Sequence, residues 1–194
     1  ATAIGGDSTW NQTAAGVYDW NVDGNWLPAP FPNSVGSIAR LTTATGSQIV
    51  ELEQSITLGR LILGTAGFNA AAPAYSLQPG AAGALVFDHT GVNGTATLEK
   101  AGFNTDVIGV PVSLVDSLLA NINGGAVKVT GPVSGTFGSG VTAITKTGNG
   151  NLILAGNNSY SGTTLVSGGL LTITHANALG AGGAGNGTVV TSGG

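Results

Sequence analysis

Residues 146–173 read KTGNGNLILAGNNSYSGTTLVSGGLLTI. Three short apolar runs stand out: Leu152-Ile153-Leu154, Thr164-Leu165-Val166 and Leu170-Leu171-Thr172-Ile173. Each has the length of a strand, none is long enough for a helix, and the residues between them are mostly Gly, Asn and Ser, which form turns. Val166-Ser167-Gly168-Gly169 is then echoed by Thr191-Ser192-Gly193-Gly194. A recurrence at roughly 20–30 residues, with one or two strands per unit, is the mark of stacked β-coils.

The alternation inside these runs predicts that Leu152, Leu154, Leu165, Leu171 and Ile173 point inward. Working outward, strands are expected at 49–53, 56–63, 75–78, 84–88, 96–99, 107–114, 126–130, 141–146, 163–167 and 188–191 as well. In Ala126-Val127-Lys128-Val129-Thr130 the two valines point in and Lys128 points out. Pro111 marks an edge or a bend in 107–114, because it has no N–H to give to a ladder. Segments 116–121 and 174–179 are short-helix candidates without convincing caps. Two-residue hairpin signals are few, Asn93-Gly94 and Asn186-Gly187 being the best. A sandwich or barrel fits the strand count, but the recurring turn grammar favours a right-handed parallel β-helix.

Composition narrows the function. The chain has 194 residues, of which 34 are Gly and only 7% are charged, against about 25% in an ordinary soluble domain. A hydrophobic fraction of 42%, clustered in strand-length runs, excludes disorder. No run approaches the roughly 20 apolar residues of a spanning helix, so no membrane insertion is expected. Five Lys+Arg and a net charge of −4 leave no basic footprint for nucleic acid. Cysteine is absent, which excludes disulfides and thiolate metal sites. The chain opens at Ala1-Thr2-Ala3, as after signal-peptide cleavage.

Residues 1–46 differ from the rest. They hold Trp10, Trp20 and Trp26, together with Tyr18, Phe31 and a Pro-rich segment at 28–32. We expect an aromatic N-terminal cap at 1–46, covering the first coil of a β-helix at 47–194, because an open solenoid end presents unpaired backbone groups.

The segment Gly148-Asn149-Gly150-Asn151-Leu152 through Asn158-Ser159-Tyr160-Ser161-Gly162-Thr163-Thr164 to Gly168-Gly169-Leu170-Leu171 resembles the autotransporter-associated β-strand repeat, also called the passenger-associated transport repeat. Trp20-Asn21-Val22-Asp23-Gly24-Asn25-Trp26 is similar to the opening of large secreted proteins carrying such repeats. The resemblance implies a bacterial secreted or surface-displayed β-helix that does structural work.

Several constellations are candidates for chemistry. Asp19, Asn21 and Asp23 match the first half of a calcium loop, but Pro30 stands where its bidentate Glu belongs. The alternative is a turn whose side chains satisfy backbone N–H groups. Glu51 and Glu53 are the minimum carboxylate pair for glycoside hydrolysis, or simply a solvated strand face. His89 and His175 read as coil-corner residues, and the Gly-rich stretch 180–187 reads as a loop without the context of a phosphate site. Trp10, Trp20 and Trp26 form either a glycan-stacking platform or the core of the cap.

After Lys146 the chain carries no Asp, Glu, Lys or Arg. A neutral edge at Thr188, Val189, Val190 and Thr191 lacks the usual protection against strand addition. The expectation is therefore a non-enzymatic extracellular structural solenoid, without cofactor, whose partner is itself in a head-to-tail homopolymer. The alternatives are an adhesin that binds surface glycan and, remotely, a carbohydrate-active β-helix enzyme.

Overall fold

The computed structural model describes residues 6–64, 73–92 and 95–191. The Asn93-Gly94 hairpin signal and most of the 191–194 echo lie outside them. The chain winds through three sheets. One has the strands β1 (Asp7–Trp10), β4 (Ile38–Leu41), β7 (Arg60–Leu63), β10 (Ala96–Lys100), β13 (Leu118–Ile122), β16 (Thr142–Thr147), β18 (Thr163–Val166) and β20 (Thr188–Val190), with β3 (Trp26–Leu27) beyond β1. The second stacks β2 (Gly16–Asp19), β5 (Gln48–Leu52), β8 (Tyr75–Pro79), β11 (Thr105–Ile108), β14 (Ala126–Val129), β17 (Asn151–Leu154) and β19 (Leu170–Ile173). The third holds β6 (Ser55–Leu58), β9 (Ala84–Phe87), β12 (Val112–Leu114) and β15 (Val133–Gly135).

Every pairing among the described strands is parallel except β1 with β3. From β4 onward successive strands in the chain belong to different sheets, and strands one turn apart are ladder neighbours. This is the arrangement of a β-solenoid. A single 3-10 turn, Asp23–Asn25, is the sole helical element among the described residues.

Period-two alternation fills the interior. Val127 and Val129 are buried, as are Leu152 and Leu154 above them in the ladder, while Lys128 faces out. Leu118, Ala120 and Ile122 are also buried alternately, so the short-helix candidate 116–121 is instead largely strand β13. Segment 174–179 forms turns. Two expected long strands each divide into two. The run 56–63 bends at Gly59 between the third sheet and the first, and the run 107–114 breaks over Gly109, Val110 and Pro111.

The inward set in 163–166 also differs from expectation. Thr164 and Val166 are buried, and Leu165 lies on the outer face. The ladder explains this, because Thr164 and Val166 sit over Ile144 and Lys146, both buried. Leu171 and Ile173 follow the inward register of Leu152 and Leu154, but Ile173 is 50% exposed because no described strand covers β19.

At the other end, Trp10, Trp20 and Trp26 pack edge to face or tilted, with ring centroids 4.9 and 4.6 Å apart. Strands β1, β2 and β4 lie within residues 1–46 and are themselves ladder members, and β3 turns antiparallel against β1.

Candidate functional site

Residues 151–173 form β17, β18 and β19, with an irregular corner at 155–162 where the third sheet would otherwise continue. At that corner Asn158 is 4% exposed, and its amide supplies an acceptor to β15 while the Ser159 and Ser161 N–H groups donate to the Val133 and Gly135 carbonyls. The Val133 N–H of β15 donates to Asn158 Oδ1 at 2.8 Å, and Asn158 Nδ2 donates to the Ala178 carbonyl one turn further on at 2.6 Å. A buried backbone group without a partner costs about 1–3 kcal/mol, so this side chain satisfies two turns at once. Tyr160 is fully buried, with its hydroxyl 2.7 Å from Thr164 Oγ1. Burial pushes that phenol up from its ordinary pKa, against the opposing pull of the Thr164 bond.

The glycines of this segment let turns approach each other. A Cβ on Gly156 would overlap the Gly131 carbonyl below it. One on Gly169 would strike the Gly148 carbonyl, and its φ of 69° is in the left-handed region besides.

Lys146, at the start of the segment, is buried in the interior. Its Nζ donates to the carbonyls of Thr147, Gly148 and Gly168 at 2.7, 2.9 and 3.0 Å. Burial lowers its pKa from 10.5 to about 8. With Lys100 also buried, two of the five Lys+Arg contribute nothing to the surface.

The other candidate residues are dispersed. Asn21 Oδ1 accepts from the Glu53 N–H at 3.0 Å, and Asp23 Oδ1 accepts from the Phe31 N–H at 3.0 Å. Both side chains serve turns. Asp19 and Glu51 are ladder neighbours, and with Glu53 they bring carboxylate oxygens within 4.8 Å of one another. Such a group could hold a hard cation through oxygen ligands. In the sequence the three carboxylates fall in two separate motifs, which the β2–β5 register unites. Glu53 also accepts from the Ala81 N–H at 2.9 Å.

Trp10, Trp20 and Trp26 are 0, 0 and 2% exposed. Their indole N–H groups donate to Gln48 Oε1, the Pro32 carbonyl and the Trp20 carbonyl. These rings are core and present no open face to a sugar. His89 lies in the corner after β9, where its N–H donates to Asp116 Oδ2, and His175 Nδ1 accepts from the Asn177 N–H in the turn after β19. Residues 180–187 form the loop before β20, pinned where the Gly162 N–H donates to Asn186 Oδ1.

Thr188, Val189 and Val190 are exposed on the outer edge of the first sheet, and Thr191 N–H donates to the Val166 carbonyl. Beside them Val166, Leu171, Ile173, Leu179 and Val190 line an apolar cleft open to solvent.

Residues 144–173 match the family model of the Passenger-associated-transport-repeat, a structural repeat of passenger domains. No curated protein and no solved structure matches the chain. No helix among the described residues is long and apolar enough to cross a membrane.

Proposed function

We propose that this chain is a length of extracellular structural solenoid, a right-handed parallel β-helix whose first turn, within residues 1–46, also caps 47–194, and that it does mechanical rather than catalytic work. The carrying observation is that the parallel ladders of the first and second sheets run through a matched Passenger-associated-transport-repeat. Right-handed winding follows the strong preference of parallel crossovers. Secretion or surface display accords with that repeat and with the cysteine-free composition.

The solenoid associates end to end through a second copy of itself. Exposed large apolar residues gather in the first turn (Val17, Val22 and Leu27) and in the last described strands (Leu170, Ile173, Val189 and Val190). The two ends differ, so their contact is heterologous and propagates instead of closing. Light scattering and electron microscopy at rising concentration test this. Head-to-tail particles are expected from the native chain, and monomers from a Val189→Lys/Thr191→Lys variant that charges the edge. A native chain that stays monomeric at high concentration would refute self-association while leaving the structural role standing.

A further inference from the structure

Three side chains meet inside the corner between β10 and β11. Lys100, Asn104 and Asp106 are 1, 7 and 0% exposed. Lys100 Nζ donates to Asn104 Oδ1 at 2.7 Å and to the Ala101 carbonyl, and lies 3.2 Å from Asp106 Oδ2. Asn104 Nδ2 donates to Asp106 Oδ1 at 2.7 Å and to the Pro73 carbonyl at 2.8 Å. Asp106 Oδ1 also accepts from the Tyr75 N–H at 2.8 Å, while Asp106 Oδ2 has no hydrogen-bond partner.

An amine, a carboxamide and a carboxyl group are thus held in mutual contact, shielded from water. We propose that Lys100 and Asn104 join in an intramolecular isopeptide bond, with Asp106 carrying the protons. Lys100, as the free amine, attacks Asn104 Cγ with its nitrogen lone pair. The Cγ–Nδ2 bond breaks, and Nδ2 leaves as ammonia. Asp106 takes one proton from Lys100 Nζ and gives one to Nδ2, ending as it began. The products are one secondary amide and one ammonia, with no oxidant and no external reactant.

The surroundings favour each part. Taking an amine and a carboxyl group out of water together disfavours their ion pair. Burial raises the Asp106 carboxyl above its ordinary pKa, against the pull of the Lys100 ammonium. The leaving nitrogen is already oriented by its bond to Asp106, so the proton has a short path. Lys146 supplies an internal contrast, because it is equally buried but faces three backbone carbonyls and no carboxamide.

Intact mass spectrometry of the full chain under denaturing conditions is the direct test. The expected mass is that of the sequence less one ammonia, with trypsin failing to cut after Lys100 and no backbone fragment ions between residues 100 and 104. Lys100→Arg and Asp106→Ala should each restore the full sequence mass. Should either variant fold poorly, the native-chain mass and fragment map decide alone. A folded native chain at full sequence mass overturns the proposal. So does an ammonia deficit that maps to a succinimide at Asn104-Thr105 with Lys100 still cleaved.

Discussion

Asn33 and Asn158 hold opposite ends of the third sheet by the same device. Asn33 Oδ1 accepts from the Thr57 N–H of β6 at 2.7 Å, and Asn158 Oδ1 accepts from the Val133 N–H of β15 at 2.8 Å. In both places a side-chain amide oxygen accepts a backbone N–H at the edge of the sheet. Their surroundings differ, since Asn33 is exposed and Asn158 is buried.

That difference predicts unequal costs. Asn158→Ala leaves the Val133 N–H and the Ala178 carbonyl without partners away from water, and should destabilise by about 2–4 kcal/mol. At Asn33 water takes over the freed N–H, so Asn33→Ala should cost about 1 kcal/mol or less. Denaturant midpoints of the two variants check the order.

The register of β18 gives a second test. A charge at Val166 enters the core above Lys146, whereas one at Leu165 enters solvent. Val166→Lys, which sets a second cation beside Lys146, and Leu154→Asp should therefore each lose several kcal/mol, and Leu165→Lys should stay within about 1 kcal/mol of the native protein. Thermal melts followed by circular dichroism would show the contrast. A larger loss at 165 than at 166 would place the strand in the other register.

Lys146 predicts an uncommon dependence on pH. Its folded-state pKa, about 8, lies below the 10.5 of the unfolded chain. Below pH 8 the lysine is protonated in both states, and the whole cost of enclosing an ammonium is present. Between about pH 8 and 10.5 the unfolded chain binds more protons, so stability rises with pH, by at most about 1.4 kcal/mol per unit. Burial raises the Tyr75 and Tyr160 phenols. Above about pH 10 the unfolded phenols ionise first and stability falls again. Denaturant midpoints should climb from about pH 7.5 to about pH 9.5 in the native chain and stay level in Lys146→Met. A level native curve would mean that the carbonyl cradle fully offsets the burial.

Removing residues 1–46 takes away β1 to β4 and bares one edge of both β5 and β7. Exposed parallel edges recruit other strands, so the truncated chain should aggregate at concentrations where the native chain does not. A monodisperse, folded truncation by light scattering would assign the segment a role independent of the ladder.

Much of this fold was legible because alternation and turn residues are local signals. Val127, Val129, Leu152 and Leu154 could be oriented from the sequence alone. What was hidden depends on register. Leu165 is the largest apolar residue of its run, yet position over Ile144 and Lys146 placed Thr164 and Val166 inside. The Ile144-Thr145-Lys146 alternation points Lys146 inward, but the ordinary preference of lysine for solvent masks it, and no local pattern announces three carbonyls from two turns. The Asp19, Glu51 and Glu53 group and the Lys100, Asn104 and Asp106 cluster were likewise invisible, one assembled across strands and the other around a corner. The strands in 1–46 were hidden by their aromatic and Pro-rich surroundings.

The strands lie across the long axis, and each turn is tied to the next by ladder bonds that run along it. Tension applied at the two ends therefore reaches those bonds a turn at a time, as in opening a seam. Each turn released would pay out its strands and its corner as slack before the following one yields. Such a rod would give way gradually under load and absorb work over a long extension, where a domain loaded in shear would hold firm and then fail at once.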